Sequence, residues 1–196
     1  MNNPFNNKEF NSGDGMLTSV WGPSMWHTLH TISFNYPVKP TNKDKTNYMK
    51  FFLSLKNILP CKYCRINYVK NLKSVPLNLS VMKNRLSLSK WLYLLHEEIN
   101  RMLGKKSNLS YEDIKIRYEM FRSRCLSDKK KNNKNNKKSK NNKNNKKSKN
   151  NKNKRVKESG CVKPLYGKKS KCVINIVPNT KKCKSFKIDK KCIIKS

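Results

Sequence analysis

Between residues 16 and 126 apolar positions recur at intervals of three and four, the spacing of a helix face rather than the alternation of a strand. In WGPSMWHTLHTISFNYP, Trp26, Leu29 and Phe34 fall near one face of a first helix, with Pro23 suited to its start and Pro37 ending it. Residues 42–59 predict a second helix, in which Tyr48, Phe51, Phe52, Leu55 and Ile58 form a stripe. Pro60, lacking the N–H that a helix needs, stops it. Tyr63, Ile66, Val69 and Leu72 resume helical spacing from Cys61 until Pro76. A fourth helix, LSKWLYLLHEEINRMLG, carries Trp91, Leu92, Leu95, Ile99, Met102 and Leu103, with Gly104 suited to its cap. A fifth begins at Ser110, which has capping-box spacing to Asp113, and runs through Ile114, Tyr118 and Phe121. No segment of this region reads as a strand, so the expected fold class is all-α.

The pattern ends abruptly. Residues 129–154 contain only Lys, Asn and Ser, with KKSKNNKN recurring from Lys137, and such a segment has nothing to bury. It is expected to be an extended, self-repelling linker. Residues 156–196 regain some apolar content in CVINIVP and CIIKS, with a lysine-flanked cysteine about every ten residues. Short strands fit there, but the segment is small to fold unaided. The organisation expected is a polar leader over 1–15, a helical domain over 16–127, a disordered Lys/Asn-rich linker over 128–155, and a Cys- and Lys-rich segment over 156–196.

The linker also accounts for much of the composition. The chain of 196 residues is 35% hydrophobic, low for a fully globular protein, and its formal net charge is +35. A chain this basic associates with polyanions whatever its job, so charge discriminates poorly between functions. The start, MNNPFNNKEF, lacks a basic-then-apolar signal, and no segment is long and apolar enough to span a bilayer. Cytosolic synthesis and retention is therefore the expectation, which disfavours persistent structural disulfides and makes a reversible one more interesting.

Seven cysteines, an odd number, cannot all pair within the chain. Cys61 and Cys64, in LPCKYC, have the spacing of a zinc half-site or of a reversible disulfide. No second Cys-x-x-Cys supplies the missing zinc ligands, so no metal site is expected. A thioredoxin-like site needs a strand before the pair, where an aromatic helical stripe stands instead. What remains is a dithiol in the first turn of a helix, where the dipole favours a thiolate, with Lys62 and Arg65 adjacent. Such a pair exchanges with substrate thiols through mixed disulfides, and a two-electron acceptor such as a flavin fits between the helices of a bundle. His30 falls four residues after Trp26 and Asn100 four after His96, so each couple shares a helix face. From spacing alone these histidines read first as satisfied core or surface residues, and Trp26 and Trp91 as core, ahead of any site role. A binding module, with a basic tail gripping nucleic acid or membrane and a merely structural cysteine pair, is the competing class.

The motifs WGPSMWHTLH, YP, LPCKYC and HEEINRMLGK, in that order and at these separations, resemble the Erv/ALR family of FAD-linked sulfhydryl oxidases over residues 21–125. The resemblance implies a four-helix bundle with a short fifth helix, FAD held at its mouth, and a homodimer. It implies that Cys61 receives electrons from substrate thiols and that Cys64 lies beside the flavin, with dioxygen as final acceptor and hydrogen peroxide as product. By the same resemblance Gly22, Ser24, Trp26, His30, His96, Asn100, Lys105 and Tyr118 belong to the cofactor site, while Trp91 stays a packing residue. Glu97 stands where the family commonly has Asn, and Pro23 where some members have Arg. Lys73 and Ser110 occupy the places of a structural cysteine pair found in many members, so that disulfide is expected to be missing. Many members carry electrons to the site on an extra cysteine pair. Cys125, Cys161, Cys172, Cys183 and Cys192 are candidates for such a shuttle, with idle reduced thiols as the equal alternative. The Lys and Asn excess and the expected cytosolic setting resemble members encoded by large cytoplasmic DNA viruses. The implied location is host cytoplasm or virion, with the mitochondrial intermembrane space second.

Overall fold

The computed structural model describes residues 6–126, 160–173, 176, 177 and 180. The described residues divide into two compact units, 6–119 with 176, 177 and 180, and 120–126 with 160–173. The first is helical: α1 (Asn7–Phe10), α2 (Thr18–Phe34), α3 (Asn42–Ile58), α4 (Lys62–Ser74), α5 (Arg85–Met102) and α6 (Tyr111–Glu119), with a 3₁₀ turn at Val81–Lys83. Helices α2 to α5 form the expected four-helix bundle, with α2 packed on α5 and α6, α3 on α4, and α4 on α5.

Local chemistry fixes the helix ends. Thr41 and Asp44 cap α3 reciprocally, Asp44 N–H donating to Thr41 Oγ1 at 3.1 Å and Thr41 N–H to Asp44 Oδ2 at 2.8 Å. Ser110 and Asp113 do the same for α6. At the end of α5, Gly104 adopts φ +65°, and the N–H groups of Gly104 and Lys105 return to the carbonyls of Arg101 and Asn100 at 3.1 and 2.8 Å. This closure needs a residue without the Cβ penalty of the left-handed region. Helix α2 starts at Thr18, so Pro23 sits inside the helix rather than at its start. The bond it forfeits would go to the carbonyl of Ser19, an exposed residue that water can satisfy.

The core is built from Leu29, Tyr36, Phe52, Leu55, Tyr68, Met82, Leu88, Trp91, Leu92 and Leu95, all buried. Its polar tips are satisfied: Tyr36 donates to Met82 O at 3.0 Å, Tyr68 to Phe52 O at 2.9 Å and Trp91 Nε1 to Val75 O at 3.2 Å. Phe52 meets Trp91 edge to face at 5.3 Å. Trp91 is thus a packing residue, as expected. The apolar positions of α4 divide differently from the expected stripe. Tyr68 faces inward, whereas Tyr63, Ile66 and Val69 are exposed, as are Phe51 and Ile58 of α3.

The second unit contains a strand where none was expected. Strand β1 (Ser123–Leu126) pairs antiparallel with β2 (Gly160–Pro164), with Arg124 opposite Lys163, Leu126 opposite Gly160, and a bulge between Arg124 and Leu126. Helix α6 accordingly stops at Glu119 and does not include Phe121. The backbone groups of 123–126 find their partners across a long sequence separation, which local periodicity cannot register. Residues 128–155, expected as linker, lie outside the described residues, as do Cys183 and Cys192. No helix among the described residues is long and apolar enough to cross a membrane.

Candidate active site

The cysteine pair sits where α3 hands over to α4. Leu59 O, at the end of α3, accepts Cys61 N–H at 2.8 Å and Arg65 Nη1 at 2.6 Å, so the turn through Pro60 is closed by the residues that follow it. Cys61 becomes the N-cap of α4, its Sγ accepting Cys64 N–H at 3.2 Å. A sulfur here replaces the usual Ser or Asp oxygen and faces the positive end of the helix. Both cysteines are free thiols and half-buried. Burial pushes the Cys61 thiol up, but hydrogen bonds from the Cys64 thiol and N–H, the Thr18 hydroxyl and Tyr63 N–H outweigh it and leave Cys61 below its ordinary value. Cys64 is raised, first by burial and then by its hydrogen bond to Cys61 and the charge there, with Thr18 and Arg65 acting in the opposite sense. In the reduced pair Cys61 is thus the thiol shifted toward its anion and Cys64 the one shifted away from it.

A second cluster gathers from three helices. Trp26 of α2 stacks on His96 of α5 with ring centres 3.8 Å apart and planes within 6°. His30 Nε2 lies 3.2 Å from His96 Nδ1, and the His30 ring stacks over Tyr118 of α6 at 5.1 Å. Phe34 extends the stack, parallel to Tyr118 at 5.3 Å. Burial, then the neighbouring charges of His96 and His27, lower His30 to about 3. Burial lowers His96 to about 4 against the opposing pull of Glu97. Both rings are neutral at pH 7, and one donates to the other. Tyr118 is pushed up to about 12 by burial, so its phenol keeps its proton.

Four of the eight expected cofactor residues, Trp26, His30, His96 and Tyr118, thus meet in one cluster. The others are placed around it without joining the stack. Gly22 is one turn before Trp26 on α2, and a Cβ there would meet only Thr18 Cγ2 at 3.6 Å, so no protein neighbour demands a glycine. Ser24 accepts Thr28 Oγ1 on its carbonyl. Asn100, one turn beyond His96, donates Nδ2 to Glu97 Oε1 at 3.0 Å, so the Glu97 departure engages one of its amide donors. Lys105 is tied through its backbone to Asn100 and lines a cleft of about 610 Å³ with Glu97 and Arg101. Of the shuttle candidates, Cys161 of β2 is disulfide-bonded and Cys172 is an exposed free thiol, while Cys125 contributes its backbone to β1.

Two groups escaped sequence reasoning. His27 joins the cluster against Tyr118 at 5.7 Å, and its three-residue spacing to His30 was a legible signal. Thr18, with its hydroxyl 3.7 Å from Cys64 Sγ, carried no such signal.

The residues fit a flavin dinucleotide by their chemistry. His30 Nδ1 is buried with no hydrogen-bond partner among the described residues, a polar atom whose desolvation costs about 1–3 kcal/mol unless a ligand meets it. The rings around it are neutral and flat, suited to stacking on an aromatic ligand. Thr18, Gly22, Trp26 and His30 recur every four residues along α2, a row about 18 Å long at 1.5 Å per residue that leads from the thiol pair to the cluster.

The helical bundle thus carries a Cys-x-x-Cys dithiol and a buried aromatic and histidine cluster. Residues 23–119 match the profile of the Erv1 / Alr family. Over 91 residues the chain is 40% identical to the "Probable FAD-linked sulfhydryl oxidase" of Acanthamoeba polyphaga mimivirus, covering 46% of this chain and 64% of that protein. Over 99 residues it is 31% identical to the FAD-linked sulfhydryl oxidase of African swine fever virus, covering 50% of this chain and 80% of that one. The crystal structure of the yeast Erv1 core superposes with a TM-score of 0.48 at 23% identity, covering 60% of this chain and 96% of that one. The chain belongs to the Erv1 / Alr family.

Proposed function

We propose that this protein is an FAD-dependent sulfhydryl oxidase that forms disulfides in substrate proteins, with Cys61 and Cys64 as its redox pair. The observation that carries the reading is the placement of the pair at the N-terminus of α4, with Cys61 Sγ capping the helix through Cys64 N–H, beside the start of the helix that bears Trp26 and His30. FAD, when bound, supplies the two-electron acceptor that is reoxidised by dioxygen to hydrogen peroxide.

The chain's own part is thiol exchange. A substrate thiolate attacks Cys61 Sγ of the oxidised pair, a substrate–Cys61 bond forms, and the Cys61–Cys64 bond breaks with its electron pair going to Cys64. A second substrate thiolate then attacks the substrate sulfur, leaves as the substrate disulfide and releases Cys61 as a thiolate. Hydrogen bonds around Cys61 favour its departure in that form, because a lower thiol pKa makes a better leaving group. Trp26, His30, His96 and Tyr118 hold the cofactor, with Gly22, Ser24, Asn100 and Lys105 at its margins. A setting in host cytoplasm or virion, supported by the relatives in mimivirus and African swine fever virus, completes the reading, with the chain acting as a homodimer. Cys161 and Cys172 are the described candidates for passing electrons inward from substrate. Oxygen uptake with dithiothreitol tests the assignment: Cys64→Ser is expected to abolish turnover while the chain keeps its flavin, and uptake at the wild-type rate would overturn it.

A further inference from the structure

The segment just before α2 is pinned to the cysteine motif. Gly15 and Cys61 form an antiparallel bridge, Met16 N–H donates to Pro60 O at 2.7 Å, and Lys62 N–H reaches Asp14 O at 3.4 Å. Trp21 Nε1 secures the next turn by donating to Met16 O at 3.0 Å. The approach is so close that a Cβ on Gly15 would lie 2.7 Å from Pro60 O and 2.9 Å from Cys61 Cα, and Gly15 has φ +112°. Only glycine tolerates both the conformation and the contact. Residues 14–16 therefore act as a strap that sets where α2 begins relative to the two thiols.

What the strap delivers is Thr18. Two other threonines of α2, Thr28 and Thr31, spend their hydroxyl protons on the carbonyls four residues back, Ser24 O and His27 O, each at 2.9 Å. Thr18 is the first residue of the helix and has no helical carbonyl behind it. Its hydroxyl instead lies 3.7 Å from Cys64 Sγ. Once Cys61 is tied up in a mixed disulfide, Cys64 must carry the electron pair of the broken bond. A thiolate accepts but cannot donate, so the hydroxyl proton then points at sulfur.

We infer that Thr18, held in place by the strap on Pro60, Cys61 and Lys62, is the hydrogen-bond donor that stabilises the Cys64 thiolate released when substrate attacks Cys61. This deepens the redox role proposed for the pair and rests on it. Burial raises Cys64 most and persists, but the hydrogen bond and charge from Cys61 that also raise it in the reduced enzyme are removed when Cys61 is bonded to substrate, leaving Thr18 and Arg65 to oppose burial.

The test uses the full chain with Cys61→Ser, which leaves Cys64 without its thiol partner. Alkylation of Cys64 by iodoacetamide is followed across pH by mass spectrometry of the Cys64 peptide, so that the other cysteines do not interfere. Adding Thr18→Val is expected to raise the apparent Cys64 pKa by about one unit, while Thr18→Ser, which keeps the hydroxyl, leaves it in place. Gly15→Ala, which displaces the strap, is expected to shift it in the same direction as Thr18→Val. An unchanged profile with Thr18→Val would overturn the inference. In parallel, anaerobic bleaching of the flavin by dithiothreitol is timed in chains with Cys61 intact. Slowing by Thr18→Val supports the inference, and equal rates contradict it. A wild-type flavin that dithiol fails to bleach would overturn the redox role itself, while the alkylation profile would still decide whether Thr18 acts on Cys64.

Discussion

Acidification from pH 7 to pH 5 is expected to destabilise the flavin-free chain through two histidines. His30 is lowered to about 3 and His96 to about 4, both chiefly by burial, and in the unfolded chain each returns to the ordinary 6.5. Because the folded values lie below the unfolded one, the unfolded state binds more protons throughout this window. Their contribution is therefore complete above about pH 6.5 and is lost as pH falls toward the folded values. Between pH 7 and pH 5 the loss is about 2 kcal/mol for each ring, a large part of the 5–15 kcal/mol typical of a domain. His27, also lowered by burial, acts in the same direction. The lowered carboxylates Asp44, Asp113 and Glu98 titrate below this range, so the window isolates the imidazoles. Urea unfolding followed by far-ultraviolet circular dichroism reads the effect. With an m-value of about 1–3 kcal/mol/M, the midpoint is expected to fall by more than about 1 M. His96→Asn is expected to remove about half of that dependence. A midpoint that stays constant from pH 7 to pH 5 would refute the neutral, buried pair.

Phe52→Ala, which empties the site packed edge to face on Trp91, is expected to cost about 3–5 kcal/mol in the same unfolding assay. Trp26→Ala removes the ring stacked on His96, and gel filtration is expected to strip flavin from it under conditions where the wild-type chain stays yellow. Gly104→Ala forces a Cβ into a φ of +65° at the end of α5 and is expected to lower stability by about 1 kcal/mol, read as a shift in the urea midpoint.

The bundle was legible because its helices announce themselves locally. Thr41 with Asp44 and Ser110 with Asp113 carry their caps in the sequence, Gly104 sits where the left-handed turn needs it, and Pro60 breaks the chain ahead of the cysteines. Spacing does not say which of two apolar ridges faces inward. Helix α4 buries Tyr68 and turns Tyr63, Ile66 and Val69 outward because α3 and α5 claim one side of it. The candidate site divides the same way. Trp26, His30, His96 and Tyr118, expected together from the ordered motifs, do cluster in space. The strap through Gly15 and the hydroxyl of Thr18 depend on pairing across more than forty residues, which no local pattern encodes. Strand β1 was missed for the same reason.

The most direct test of the account is the visible spectrum of the full-length purified chain during anaerobic titration with dithiothreitol, followed by readmission of air. The account predicts a bound-flavin absorption that bleaches on adding dithiol and returns with oxygen, and whose rapid bleaching is lost with Cys64→Ser. A folded chain that carries no flavin and takes up none on addition of FAD would contradict it.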